Sequence, residues 1–363
     1  MSMFTKISIN NLFAKKPLTV SEFISTTQNS ICVVLNAKDA KDDTQIQKEN
    51  TAIAKCLGEV KKSLKSKESG EEALAIAQEL SVHMAKSGLM KQMVRCISNL
   101  YFEARKDVAF LFRYLLQRSS NIEHGFTVSY ILNNFDIVRE LMNGYRAADS
   151  SSACCGLMLR ECARHEELAK RLLEDPCFEY MFEYVQLTQF DIASDAFSTL
   201  RELLVHHKAM VAKFLEEKFD SFFAKYSKLL ESDNYVTKRQ ALRMLLDVLL
   251  DRNNIRVMTK YINQPGNLKL MMNLLRDQRR AIKKDALHMF KVFVCNPNKE
   301  KEVRKILVKN QSKLHQFIIK MEADEQDELF LEDRELVLAA ISNLEVGDAE
   351  PSTPKRIEEC NGH

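Results

Sequence analysis

Four side chains able to bind a metal crowd one short stretch of the sequence: Cys154, Cys155, Cys162 and His165. Cys162 and His165 stand three apart and can share a helical face. His165-Glu166-Glu167 also opens like a zinc-protease motif, but no second His follows at the helical spacing that motif needs. Cys155 and Cys162 fall on an apolar frame described below, where a free Cys packs as a small hydrophobe. Buried structural thiols therefore outweigh a metal site. His206-His207 sits at an expected helix end, where a cation meets the helix dipole favourably. The stretch from Asp39 to Asn50 places acids at the first and fifth positions of a calcium loop. It has Lys41 at the third, Thr44 where Gly is required and Asn50 where a bidentate Glu is required, so the loop fails. Gly-rich phosphate cradles, a nucleophile elbow and a His-Glu-x-x-His motif are all missing, and 9 glycines are too few and scattered to build a cradle. The chain reads as a non-enzyme needing no cofactor.

The elements that would position any site are helices. In Ala196, Leu200, Leu203 and Leu204 a small residue is followed by apolar residues four, seven and eight positions on, which puts all four on one helical face. The same frame recurs at Val108, Phe112, Leu115, Leu116 and at Cys155, Leu159, Cys162, Ala163. It returns at Ala241, Leu245, Val248, Leu249 and at Ala286, Phe290, Phe293, Val294. The steps between anchors are 47, 41, 45 and 45 residues. That period belongs to HEAT and armadillo repeats, whose units of two or three helices cannot bury their apolar faces alone. Pro176, Pro265 and Pro297 follow helical stretches rather than interrupt them. Glu71 to Val94 reads as two helices broken near Ser87-Gly88. The expected fold is all-α, an armadillo- or HEAT-like helical-repeat solenoid shaped as a curved rod.

Composition agrees. Of 363 residues 45% are hydrophobic and 28% charged, so a core is available. Gly and Pro, at 9 and 6, are too scarce for a turn-rich β-fold. The repeat domain is expected over 21–346. Residues 1–20 have no clear register, and 347–363, with Pro351 and Pro354, read as a disordered tail. Nine cysteines, an odd number without C-x-x-C, suit reduced cytosolic thiols. Met1-Ser2-Met3-Phe4 lacks the layout of a signal peptide, and no apolar run approaches the roughly 20 residues that cross a bilayer. A cytoplasmic protein without membrane association is expected.

Charge is uneven. Residues 235–314 hold 19 Lys or Arg against 6 Asp or Glu, whereas 315–350 hold 2 against 11. Most of these charges should be solvated outer faces, but a basic block beside an acidic one can also recruit an acidic partner. The alternative functional reading rests here: a helical-repeat adaptor binding another acidic or nucleic-acid partner through 235–314. The lack of Trp and of any RNA-reading motif or zinc finger disfavours nucleic acid.

Particular strings go further. Met158-Leu-Arg-Glu-Cys-Ala-Arg-His-Glu166, Phe190-Asp-Ile-Ala-Ser-Asp-Ala-Phe197, Asn234-Tyr-Val-Thr-Lys-Arg-Gln240, Asn267-Leu-Lys-Leu-Met-Met-Asn-Leu-Leu-Arg-Asp277 and Asn296-Pro-Asn-Lys299 closely resemble the calcium-binding protein 39 family. The likeness spans residues 70–320 and is densest over 155–310. It implies an armadillo-like scaffold that activates protein kinases without catalysis. The implied partners are the STE20-related adaptor pseudokinase, the liver tumour-suppressor kinase and sterile-twenty kinases. The resemblance further implies a C-terminal pocket for a Trp-Glu-Phe tail and a concave face that grips the kinase domain. Carried over by motif, Arg239 and Met272 are the leading partner contacts. Arg243, one turn beyond Arg239, stands where the family usually has Lys. Lys309 is expected to meet the tail's carboxylates, and Phe190 and Arg252 to face the kinase. At Ile255 the family tends to have an aromatic, which puts that contact in doubt. Without the resemblance, Met272 reads equally as core, Phe190 as a hydrophobic staple and Arg239 as a solvated charge.

Overall fold

All five anchors of the apolar frame, Val108, Cys155, Ala196, Ala241 and Ala286, are buried in the computed structural model. The structure describes residues 19–40, 43–65, 71–119, 125–147, 149–321 and 327–344. Among these, all regular structure is helical. The segments read as unregistered (1–20) and as a tail (347–363) lie outside the described residues, except Thr19 and Val20. Those two open the first helix through a capping box: Thr19 Oγ1 accepts from the Glu22 amide at 3.2 Å, and Glu22 Oε2 accepts from the Thr19 amide at 2.8 Å.

The chain forms two compact units, one ending at Asn254 and one beginning at Ile255. The first runs through α1 (Val20–Ala40), α2 (Asp43–Lys65), α3 (Glu71–Ser87), α4 (Leu89–Cys96), α5 (Phe102–Ser119), α6 (Phe126–Asn133) and α7 (Asp136–Arg146). It continues with α8 (Ser152–Ala163), α9 (Glu166–Glu174), a 3-10 turn (Pro176–Tyr180), α10 (Met181–Tyr184), α11 (Phe190–Val205), α12 (Lys208–Glu217), α13 (Phe219–Glu231) and α14 (Tyr235–Leu249). A second 3-10 turn, Arg252–Asn254, ends it. The expected break near Ser87-Gly88 is there: Gly88 takes φ 72°, a left-handed conformation that suits glycine. The failed calcium loop runs into the first turns of α2, where Asn50 is buried.

The frame helices form a ladder: α5 packs on α2, α8 on α5, α11 on α8 and α14 on α11. Behind it α7 packs on α8, α10 on α11 and α13 on α14. Ion pairs join successive ladder helices. Lys61 of α2 meets Asp107 of α5 at 2.5 Å, Arg160 of α8 meets Asp195 of α11 at 2.8 Å, and Arg201 of α11 meets Asp247 of α14 at 2.5 Å. At the centre Tyr145, fully buried, donates to Asp195 Oδ2 at 2.6 Å and lies 2.7 Å from Thr199 Oγ1. Arg160 donates to both Asp195 and Thr199. Burial, reinforced by the Asp195 charge, pushes the Tyr145 pKa well up, so its hydroxyl keeps the proton it donates.

The second unit comprises α15 (Ile255–Ile262), α16 (Pro265–Leu274), α17 (Arg280–Cys295), α18 (Lys301–Ile319) and α19 (Glu328–Ser342). Pro265 occupies the first turn of α16, where its missing N–H costs nothing. The frame helix α17 packs on α16 and α19, and α18 on α16 and α19. The acidic block thus folds onto the basic one. Asp327 takes Lys284 at 2.5 Å, and the buried Asp333 takes Lys291 and lies 2.5 Å from His288 Nδ1.

Gly156 of α8 has no room for a side chain. A Cβ there would lie 1.8 Å from Asp195 Oδ2 and 2.3 Å from the Tyr145 hydroxyl. An exposed helical Gly→Ala change stabilises, but Gly156→Ala should destabilise by about 1–3 kcal/mol through forced displacement of the network, and a rise in the thermal midpoint would contradict this packing. The closing turn of the first unit is held by a carboxylate. Lys208 of α12 meets Asp251 at 2.7 Å, and the Asn253 amide donates to the same carboxylate at 2.9 Å. The Lys208 bond, then those of Asn253, hold the Asp251 pKa at about 2, below the ordinary 3.8. A depressed carboxylate pKa stabilises the fold above its unfolded value and ceases to as pH falls through the folded one. Asp251→Asn should therefore cost up to about 1 kcal/mol near neutrality. In urea melts taken at a series of pH values, the gap from the parent should close from pH 4 downward.

A candidate partner-binding groove

In the second unit the residues facing one another across α16 and α18 enclose a groove of about 520 Å³. Met272 and Ile306, both half-buried, supply its apolar surface. Lys269 and Arg276 of α16 and Lys305 and Lys309 of α18 line it as well, with Glu302 the single acid among the lining residues. A narrower cleft of about 120 Å³ shares Met272, Arg276 and Asn310 with the groove and reaches Lys313, Leu314 and Phe317. Glu302 lies 3.8 Å from Lys305. Lys269, Arg276, Lys309 and Lys313 have no ion-pair partner among the described residues. The site therefore combines a polarisable thioether, aliphatic and aromatic surface, and a strongly positive rim. Such a surface accepts an apolar anchor with an adjoining carboxylate.

The structure brings Met272 and Lys309 together. Met272 is half-buried rather than core, while Lys309 is exposed. The other lining residues were not singled out from sequence, although a signal existed. Residues 265, 269, 272, 273 and 276 repeat at three- and four-residue spacing, as do 302, 306, 309, 310, 313 and 317. Each set is one helical stripe. What hid them is that the stripes alternate apolar and charged residues, which resembles an ordinary amphipathic boundary.

The remaining expected contacts lie in the first unit. Asn234 caps α14, its side chain accepting the Val236 amide at 2.9 Å and the Thr237 amide at 3.3 Å, so the string that carries Arg239 begins at a well-formed helix start. Arg239 is half-buried, donates to the Tyr235 hydroxyl at 3.2 Å and stands over the Tyr235 ring at 6.0 Å. Its Nε is buried with no acceptor among the described residues, which is not how a solvated charge sits. Arg243 is exposed one turn on, and Arg252 is exposed in the closing 3-10 turn. Phe190, at the start of α11, is 64% exposed and so is no staple against its own helix. Ile255 opens the second unit and is 60% exposed.

The cysteine cluster behaves as packing. Cys154, Cys155 and Cys162 are buried in α8, and burial raises the Cys155 pKa to about 12 and the Cys162 pKa further. Thiols held protonated in this way are poor metal ligands. His165 is pushed down by burial, and His207 Nε2 lies 2.9 Å from the Ala163 carbonyl. Among the described residues no group of three His, Cys, Asp or Glu side chains converges as a metal site, and no helix is long and apolar enough to cross a membrane.

The family profile described as Mo25-like matches residues 11–345. Calcium-binding protein 39-like from Homo sapiens is 39% identical over 334 residues, covering 92% of this chain and 97% of that protein, and the Mus musculus counterpart gives the same figures. A Mo25-like protein of Schizosaccharomyces pombe is 38% identical over 92% of this chain and 99% of its own length. Among solved structures, a designed armadillo repeat protein aligns with a TM-score of 0.42 at 13% identity, covering 69% of this chain and 98% of that one. With every described residue inside the matched span, the helical ladder included, the protein belongs to the Mo25-like family.

Proposed function

We propose that this protein is a non-catalytic cytoplasmic scaffold that binds a STE20-related pseudokinase or kinase and stabilises its active conformation. The observation that carries the reading is the α16–α18 groove, which Met272 and the unpaired cation Lys309 both line. A Trp-Glu-Phe tail matches that chemistry. Its aromatic rings would bury against Met272, Ile306 and Phe317, and its two carboxylates, side-chain and terminal, would meet the lysines of the rim. On the first unit, the half-buried guanidinium of Arg239 and the exposed Arg243 offer cationic donors to the same class of partner. Phe190 and Arg252 offer an aromatic and a cation to a kinase domain, with the liver tumour-suppressor kinase recruited through the pseudokinase. Activation would then be a population shift, sized by the difference in scaffold affinity between active and inactive kinase. Moving a kinase from mostly off to mostly on takes about 10⁴-fold, more than a tail alone supplies, so a contact with the kinase domain is part of the proposal.

The alternative, binding of nucleic acid or another acidic partner through residues 235–314, has less support. Lys284, His288 and Lys291 of that block face Asp327, which caps α19, and Asp333 within it, which breaks up the positive surface. Salt separates the two readings: phosphate binding weakens steeply with ionic strength, whereas an aromatic-anchored tail loses less.

Binding of a labelled peptide ending in Trp-Glu-Phe should weaken at least about tenfold in Met272→Glu and in Lys309→Glu, a loss of about 1.4 kcal/mol or more. Far-ultraviolet circular dichroism should not change, because both side chains lie outside the fully buried core. Arg239→Ala should reduce capture of the intact pseudokinase. Unimpaired peptide binding by both groove variants would remove the assignment.

A further inference from the structure

The repeat frame relates the α16–α18 groove to a second cleft, within the first unit. Phe182 and Met272 each stand fourteen residues before their anchors, Ala196 and Ala286. Glu179 and Lys269 each stand seventeen before them, and Pro176 and Pro265 stand twenty and twenty-one before. The opposite walls correspond too. α13 leads into the ladder helix α14 and touches α10, just as α18 leads into α19 and touches α16. Where the second unit has its groove, the first has a cleft of about 460 Å³, within the range typical of ligand pockets.

Its apolar surface is a box of four phenylalanines. Phe178 meets Phe182 and Phe214 edge-on at 5.9 Å each, and Phe222 meets Phe182 at 5.6 Å and Phe214 at 6.1 Å. All four line the cleft. An incoming aromatic ring would extend this edge-to-face pattern. The rim is of mixed sign, unlike the positive rim of the α16–α18 groove. Two of its acids are already engaged, Asp175 by Arg139 at 2.7 Å and Glu179 by Lys225. That leaves Glu174 and Lys218, both exposed and both without an ion-pair partner among the described residues. Glu174 is the last residue of α9, and Lys218 caps the N-terminus of α13. The carbonyl end of α9 beside Glu174 favours a cation, whereas at Lys218 the carbonyl end of α12 meets the amide end of α13, so the ammonium alone supplies the preference for an anion.

We propose that this cleft is a second peptide-docking site, for an extended segment of a partner protein with an aromatic side chain between a basic and an acidic residue. The aromatic packs against the phenylalanine cluster, of which Phe214 is half-buried and Phe178, Phe182 and Phe222 are buried, while the base faces Glu174 and the acid faces Lys218. The repeat supplies the cleft, and the rim charges set its preference apart from that of the α16–α18 groove. The inference stands on the cleft's own geometry and does not require the pseudokinase reading.

The test uses the full chain and a fluorescein-labelled Lys-Ala-Trp-Ala-Glu peptide, followed by anisotropy. Binding should be lost when the peptide's Trp is replaced by Ala. It should weaken about tenfold in Lys218→Glu and in Glu174→Lys. The double variant Glu174→Lys/Lys218→Glu should recover it, because the peptide can then lie in the reverse direction. Met272→Glu should leave this peptide unaffected, whatever it does to a Trp-Glu-Phe tail. No binding at millimolar peptide, or indifference to both rim charges, overturns the proposal. So does loss of binding in Met272→Glu, which would put the peptide in the α16–α18 groove. A dimer in sedimentation that Lys218→Glu dissociates would assign the cleft to a second copy of the chain and equally overturn it.

Discussion

Close approach of neighbouring ladder helices is the constraint on which the rest depends. A unit of two or three helices has more apolar surface than it can bury against itself, so it is stable only with a neighbour on each exposed side. The frame meets this need by placing a small or slender residue at each anchor, and Ala196, Ala241 and Ala286 are completely covered. Four, seven and eight positions on, the larger residues of the same face fill the space between helices. Within the first unit, steps of 41 to 47 residues are what it takes to leave a ladder helix, form the helices behind it and return.

Polar contacts fix the ladder's register where apolar packing alone would leave it loose. Asp195 is reached by Tyr145 from α7 and by Arg160 from α8, so three helices meet at one carboxylate. Glu161, with a side chain only 4% exposed, takes Arg113 from the preceding ladder helix and Arg164 from its own. A buried carboxylate such as Glu161 is costly without partners, so it penalises a slipped arrangement more than it stabilises the correct one. The pairs nearer the surface, such as Arg201 with Asp247, contribute little energy but agree in register.

Grooves follow from the same architecture. Where consecutive helices behind the ladder meet, at α16 with α18 and at α10 with α13, the seam opens into a groove. Its apolar surface is a remnant of the repeat's core: Met272 in one seam and Phe182 in its counterpart occupy the same frame position. The rim is free to vary, because exposed charges there cost the fold almost nothing. One seam is mainly cationic, with Glu302 its single acid, and the other is mixed.

Much of this was legible along the chain. A five-fold frame at a period near 45, with prolines placed after helices, determined an all-helical repeat, because helical periodicity and chain punctuation are local properties. The burial of Cys155 and Cys162 followed from their frame positions, and Gly88 marked its helix break. Resemblance in short strings pointed to Met272 and Lys309 individually. Their meeting in one groove was decided by tertiary structure, since 37 residues and the whole of α17 separate them. The same holds for the docking of the acidic α19 on Lys284, His288 and Lys291, and for the phenylalanine box assembled from the Pro176–Tyr180 turn, α10, α12 and α13. A sequence determines which residues share a helical face; which two faces meet depends on how the repeats stack, and that is set by side-chain volumes and desolvated charges acting across the whole ladder at once.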